Sequence, residues 1–351
     1  MEKRLDSNHP KESPFVIVIG AGVAGLSASR VLSDAGCAVS VFDRGRFPGG
    51  RVASFSSPRP GVTLEKGATS FWARTTAFLE ACRCWVKEGL LVEEAEGYFR
   101  FRTSSRDWMV ALSAGLKLQS SSQLHELTSH PEGFRWEVKR QESATAHAAV
   151  TGHAHHRTRF VLALPPRQAV GVFESKMKYS IFGEAEDALK NYPYGVEWVF
   201  QVSWTEKSGN PGELRVGVTG ELAQSWAKLD RSSAAEQLRQ LFEQRPQGHE
   251  LARYYADLPP QGCPCAIQAH RWGLAYPSAL IGASHFQDPS KKFFFCGDYF
   301  GGEPPTASLQ EWPSLLAQSR SLGAAEALSR GIERAWCSGV AAAKALLSDS
   351  L

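Results

Sequence analysis

The residues best suited to chemistry stand near the N-terminus, where GAGVAG places Gly20, Gly22 and Gly25 in a G-x-G-x-x-G spacing. Each glycine has a separate use: Gly20 permits a tight turn, Gly22 lets the backbone approach a diphosphate, and Gly25 lets the next helix pack against the preceding strand. Backbone N–H groups then face the anion. The helix start adds about half a positive charge, so two phosphates can be held without a lysine. Asp43 follows at about the twenty-residue distance at which an acid accepts hydrogen bonds from the hydroxyl pair of a ribose, a contact that disfavours a 2′-phosphate.

Such a turn carries weight only when the right elements surround it. Phe15–Ile19 is an unbroken apolar run rich in β-branched residues, the composition of a parallel strand covered on both faces. Leu26, Ala28, Val31 and Leu32 continue the turn into a helix that should stop near Gly36, and Ala38–Phe42 reads as a second strand ending at Asp43. Strand, glycine turn, helix, strand and acid make one βαβ unit, so the expectation is a bound dinucleotide. Farther along, helices are predicted over residues 75–85 and 107–114 and strands over 97–102, 117–127 and 134–140, with a turn at 130–133 before a polar, histidine-rich loop. Residues 160–166 form another buried strand, stopped by two prolines, that returns to the first sheet. Strands over 197–204 and 213–218 with a helix over 234–243 suggest a second, α+β domain, and an apolar strand at 293–296 precedes an alanine-rich helix from about residue 332 to 347.

Composition narrows the function classes. A chain of 351 residues is long enough for about two domains. The balance of 39 basic against 36 acidic residues leaves +3, too weak a field to point to nucleic acid or an anionic membrane as the partner. A small-molecule substrate is the expectation. Seven cysteines form no disulfide framework, residues 1–14 read as a charged polar leader rather than a signal, and no run approaches the eighteen or so apolar residues of a membrane span. These point to a reducing, cytoplasmic setting. No metal is expected: the C-x-C pairs Cys82/Cys84 and Cys263/Cys265 lack zinc spacing, and His153, His155 and His156 fall in a polar stretch with no acidic or cysteine partner near in sequence.

A second glycine pair, with Arg51 directly behind it, lies in RGRFPGGRVAS at residues 44–54 and suits a guanidinium brought to the same diphosphate. A plain nicotinamide dehydrogenase has no need of it. Here the sequence resembles the FAD-dependent amine oxidase superfamily, whose hallmark is a G-G-R motif shortly after the ribose-binding acid. EKGATSFW at residues 65–72 is similar to the segment beside the isoalloxazine, with Gly67 and Ala68 in register. The strand ending at Leu124 matches the place where backbone groups meet adenine, and Gly297-Asp298 the late contact to the ribityl-phosphate. GIERAWCSGVAAAKAL, residues 331–346, is similar to the terminal helix whose N-terminus, here Ile332 and Glu333, points at the flavin pyrimidine. The resemblance thus implies FAD as cofactor, with Ala24, Arg44 and Gly50 completing the contacts already named.

QAHRWGLAYP at residues 268–277 resembles the renalase-like branch, in which Trp272 and Tyr276 would line the flavin face and a flat substrate ring would stack on them. No side chain is singled out as catalytic. The resemblance implies a Rossmann-like FAD-binding domain, a parallel sheet with helices on both faces, from residues 15–74, 115–170 and 291–351. A smaller α+β substrate domain would come from residues 75–114 and 171–290. It implies hydride transfer from a dihydronicotinamide to flavin N5 with O2 as acceptor. An amine oxidase is a second expectation, and a binding protein without turnover, like the GDP-dissociation inhibitors that share the glycine turn, a third. Residues 303–330 depart from the family, whose members run almost directly from the Gly-Asp strand into the last helix. Such an insertion either loops over the surface beside the cofactor site or disturbs the approach of that helix.

Overall fold

The computed structural model describes residues 14–55, 63–131, 133–141, 147–155, 157–173, 182, 186–205, 211–258, 265–301, 307–308, 320–321 and 324–349. β1 (Phe15–Ile19) passes through the glycine turn into α1 (Val23–Asp34) and back to β2 (Ala38–Phe42), which lies parallel to β1 in register Phe15 to Ala38. Val16 to Ile19 are buried, as a strand covered on both faces requires.

β3 (Ser70–Trp72), α2 (Thr76–Lys87), β4 (Leu91–Ala95), β5 (Tyr98–Phe101) and α3 (Ser105–Ser113) follow. Their strands form a small antiparallel sheet in the order β3-β5-β4. Phe71, Phe78, Phe99 and Trp108 are buried in the same core as Val16, Val18 and Leu26. The stretch 75–114, expected in the substrate domain, therefore shares its core with the nucleotide-binding turn. Aromatic area explains the placement: the Phe71 ring lies 5.8–6.0 Å from those of Phe78, Phe99, Phe101 and Trp108, and burying these faces is worth more than holding the segment apart.

β6 (Lys117–Gln119) joins the parallel sheet beside β2. At Ser121, which has φ 53°, the chain leaves it, and β7 (Ser122–His130), β8 (Gly133–Gln141) and β9 (His147–His155) make a separate antiparallel sheet. One strand over 117–127 is thus two, because no glycine or proline marks the break and a serine takes the left-handed position. The histidine-rich stretch expected as a loop is largely strand β9, so its register against β8 rather than its polarity decides its form. His156 lies outside the described residues.

β10 (Arg159–Leu162) pairs parallel with β1, and the prolines that stop it also start α4 (Pro166–Phe173), where proline's fixed φ suits the first helical position. After α5 (Glu186–Lys190), β11 (Tyr194–Thr205), β12 (Pro211–Val218), α6 (Gly220–Ser225), α7 (Arg231–Gln244) and β13 (Cys265–Pro277) build a second unit. Its antiparallel sheet runs β12-β11-β13, with Trp198, Phe200, Val216, Leu238 and Phe242 forming its core.

β14 (Ala279–Leu280), β15 (Phe286–Gln287) and β16 (Phe293–Phe295) lead back to the first sheet. β17 (Ala307–Ser308) and β18 (Arg320–Ser321) are the described strands of the 303–330 stretch, and they pair with β15 and β14. The main sheet then has the order β17-β15-β16-β10-β1-β2-β6, parallel except between β15 and β16. β15 belongs to this sheet although residue 286 falls in the stretch expected for the second domain. α8 (Ala324–Ser348) closes the described chain and packs along α1. It begins eight residues before the expected start, since AAEALSR consists largely of good helix formers. The protein is mixed α/β, with a parallel-dominated Rossmann-like sheet beside a smaller α+β unit. Among the described residues no helix is long and apolar enough to cross a membrane.

Candidate functional site

A cleft of about 1240 Å³ lies against the glycine turn. Gly25 fixes the turn's shape: a Cβ there would sit 1.8 Å from the Gly20 carbonyl oxygen, so only glycine lets α1 leave the strand this closely. Gly20, Gly22 and Ala24 line the cleft, whereas Gly25 is turned to the packing side. Gly22 is the N-cap of α1, with no side-chain cap and no acid in the first turn. Among the described residues no side chain caps this end, so the first N–H groups of α1 are open to an anion.

The Asp43 carboxylate accepts N–H bonds from Ala21 and from Gly45, both at 2.6 Å, and so ties the turn to the end of β2. Burial raises its pKa, against the lowering effect of these two donors and Arg44. Each oxygen keeps a lone pair for a ribose hydroxyl. Arg44 is exposed on the rim. The G-G-R loop is pinned to the turn by Gly49 N–H donating to Ala21 O at 2.8 Å, which sets Gly50 beside Gly22.

Arg51 and Asp298 were expected to make separate contacts to a cofactor, and the structure joins them to each other. The guanidinium grips the carboxylate with two bonds of 2.7 Å and also reaches Ala275 O at 3.3 Å. Burial alone would lower the Arg51 pKa, but Asp298 and Tyr194 raise it above its ordinary value. The pair closes the floor where the G-G-R loop meets the end of the main sheet. Gly297 N–H donates to Ser338 Oγ at 3.1 Å, which brings α8 against that strand end. Gly67 passes under Arg51, where a Cβ would lie 1.7 Å from its carbonyl oxygen, and Ala68 faces the cleft next to it. Leu124 lines the cleft near the start of β7 rather than at a strand end, just before a β-bulge.

The terminal helix corrects one expectation. Gly331 and Ile332 line the cleft, but two turns inside α8, so their N–H groups belong to the helical ladder and no helix terminus points from this position. Glu333 is absent from the cleft wall. Its carboxylate accepts N–H bonds from Arg74 at 2.7 Å and Thr75 at 2.6 Å, capping the start of α2, and pairs with Arg330 at 2.9 Å. Burial would raise its pKa, and these donors hold it below the ordinary value instead.

The opposite wall comes from β11 and β13. Trp272 and Tyr276 both line the cleft and are also held by packing. The Trp272 indole N–H donates to Lys66 O at 2.9 Å, and Tyr276 covers Gly195, where a Cβ would meet its ring at 2.1 Å. Sequence reasoning missed Glu197, Lys66 and His270. Glu197 stands opposite Trp272 next to a bulge in β11, and its alternation with buried Trp198 was the available signal. Burial pushes its carboxyl up to about 7, with Arg215, 3.4 Å away, lowering it in part. His270 packs edge-on to Trp272 at 4.2 Å, and its Nε2 is buried without a hydrogen-bond partner among the described residues. Burial, then Lys66 and Arg231, lowers its pKa to about 4. Both side chains titrate on the cleft wall, which gives this wall the means to hold or exchange a proton.

Except for Gly25 and Glu333, every residue expected at the site lines this one cleft. Among the described residues no three metal-ligating side chains come together. Cys82 is buried in α2 while Cys84 is exposed, and Cys263 lies outside the described residues.

Comparison with known proteins bears on the N-terminal part. Residues 18–83 match the family of NAD(P)-binding Rossmann-like domains. A stretch of 79 residues is 35% identical to the L-amino-acid oxidase of Mus musculus, covering 22% of this chain and 12% of that protein. Another of 60 residues is 38% identical to the L-amino-acid oxidase of Siganus canaliculatus, covering 17% and 11%. The matches thus take in about a tenth of these relatives. They support a relationship to the amine oxidase superfamily. The family match ends at residue 83, well before the 268–277 stretch of β13.

Proposed function

We propose that this protein is an FAD-dependent oxidoreductase that takes hydride from a reduced nicotinamide-type substrate and passes electrons to O2. The observation that carries the reading is the convergence, on one cleft, of the open α1 N-terminus, the G-G-R loop, the Gly297-Asp298 strand end and the aromatic wall of β13. The residues fit the cofactor. The uncapped N–H groups at Gly22 suit its diphosphate, Asp43 its ribose, and the segment at Gly67 and Ala68 has no side chain to obstruct a flat ring. FAD, when bound, supplies the hydride-accepting ring and the route of electrons to O2.

The chain's own part is positioning and electrostatics. The Arg51–Asp298 pair holds the loop and the strand end at one separation, so the two halves of the cleft keep their register. Trp272 and Tyr276 offer a planar apolar wall that excludes water from the reacting face. Beside that wall stand His270, which burial keeps uncharged, and Glu197, whose carboxyl burial pushes up to about 7 against the opposing pull of Arg215, so that Glu197 is placed to hold or release a proton near neutral pH. A second reading, oxidation of an amino acid, is favoured by the similarity to L-amino-acid oxidases. The decisive experiment mixes purified protein anaerobically with dihydronicotinamides, with L-amino acids and with simple amines. Bleaching by dihydronicotinamides is the expected result, bleaching by amino acids alone supports the second reading, and a bound flavin that nothing reduces points to a binding protein.

A further inference from the structure

The cleft wall is rich in cations, among them Arg46, Lys66, Arg106, Arg231 and Arg271. The acids on the same wall are committed elsewhere: Asp298 to Arg51, Asp43 to two backbone N–H groups, and Glu197 to Arg215. Arg271 is engaged with Ala227 O. Lys66, Arg106 and Arg231 differ from it. They come from three separate elements, the Gly67 segment, α3 and the first residue of α7, and among the described residues none has an ion-pair partner.

Two of the three are seated on aromatic faces. Lys66 Nζ lies 5.1 Å from the Phe55 ring centroid and the Arg106 guanidinium 3.6 Å from that of Phe47, contacts that steady a cation without neutralising it. Glu65, next to Lys66, accepts the Ser105 N–H next to Arg106 at 2.8 Å, and Lys66 O is bound by Trp272 of β13, the strand on which α7 packs with Arg231 at its start. Consistent with this placement, burial lowers the Lys66 pKa and Arg231 and Arg106 lower it further. Like charges gathered from three elements around a cleft repel one another, and a bound anion removes that cost while the cleft focuses the field on it.

We propose that Lys66, Arg106 and Arg231 form an anion subsite that binds a phosphate or diphosphate of the substrate, so that the substrate is anionic rather than a simple amine. This rests on reading the cleft as the active site of a flavin oxidoreductase. The cofactor's own diphosphate has the α1 N-terminus at Gly22, whereas the Lys66 carbonyl is bound by the Trp272 indole, beside the wall assigned to the substrate. A reduced nicotinamide nucleotide presents both features the two walls ask for: a flat ring for Trp272 and a phosphate for the three cations.

The test titrates the FAD-loaded protein with inorganic pyrophosphate and, separately, with acetate, followed by calorimetry. It uses wild type, R106Q, R231Q, K66Q and the charge-retaining R106K and R231K. Pyrophosphate should bind the wild type, bind about tenfold more weakly for each cation removed, and recover in the lysine variants. In the same variants, the preference for dihydronicotinamide mononucleotide over dihydronicotinamide riboside in flavin reduction should fall by a similar factor. Equal binding of acetate would assign the subsite to a carboxylate and overturn the phosphate. Unchanged pyrophosphate binding with weakened FAD would give the cations to the cofactor and overturn the subsite. If no dihydronicotinamide reduces the flavin, the proposed reaction fails, and the pyrophosphate titration still decides the subsite on its own.

Discussion

Replacing Glu333 separates a structural role from the cofactor contact that its position in the terminal helix suggests. The side chain is 2% exposed and one carboxylate oxygen takes both the Arg74 and Thr75 N–H groups, so an E333A variant leaves two part-buried donors at the start of α2 without this acceptor. Hydrogen bonds to a charged acceptor are worth about 1.5–3 kcal/mol each. The Arg330 pair adds little, because its guanidinium is 32% exposed and water can replace the carboxylate. Because both donors are only part-buried and water can reach them, the expected loss is about 2–3 kcal/mol for E333A, and less for E333Q, which keeps an acceptor and loses the charge. The sign with pH follows from the depressed pKa. The stabilisation is fully present above the ordinary value of 4.5 and is lost as pH falls through the lower folded value, so wild type and E333Q should converge on acidification. Urea unfolding at neutral and acid pH measures this, with FAD content per chain recorded on the same samples. An E333A protein as stable as wild type but unable to hold FAD would refute the reasoning.

Three further outcomes are expected. Glu197 has the opposite sign: its raised pKa penalises ionisation in the folded state, so the wild type should lose about 3 kcal/mol as pH rises from 4.5 to about 7, and E197Q should flatten that slope in denaturation curves; parallel curves would count against it. Gly25→Ala places a methyl group 1.8 Å from Gly20 O, where backbone must shift, so FAD titration should show binding abolished with about 1–3 kcal/mol lost in unfolding; unimpaired binding would contradict the packing. Asp298→Asn breaks the two-bond grip on Arg51, and because that guanidinium is 30% exposed the cost should be about 2 kcal/mol rather than the 3–5 of a fully buried pair, with weakened FAD retention by equilibrium dialysis; a variant as stable and as well loaded as wild type would remove the pair from the account.

The parts legible in the sequence were those fixed by local rules. The βαβ unit announces itself because Gly20, Gly22 and Gly25 have backbone tasks no other residue performs, and an apolar run such as Phe15–Ile19 suits a strand buried on both faces. What was not legible depended on distant partners. Nothing near Glu333 says that its carboxylate caps a helix more than two hundred residues earlier, and nothing near Arg51 says that Asp298 will take its guanidinium. The same holds for residues 75–114, whose aromatic rings could find their core only once β1 and α1 were in place. Glu197 and His270 were passed over because strand alternation gives a side chain's face but not what lies opposite.

The central claim is that the cleft at the glycine turn holds FAD, and the visible spectrum of the purified protein, with release and identification of the bound nucleotide, tests it most directly. The account predicts a yellow protein carrying one FAD per chain, or a colourless one that takes up added FAD to that stoichiometry. A well-folded protein that stays colourless with FAD in excess, or that releases only a nicotinamide dinucleotide, would contradict it.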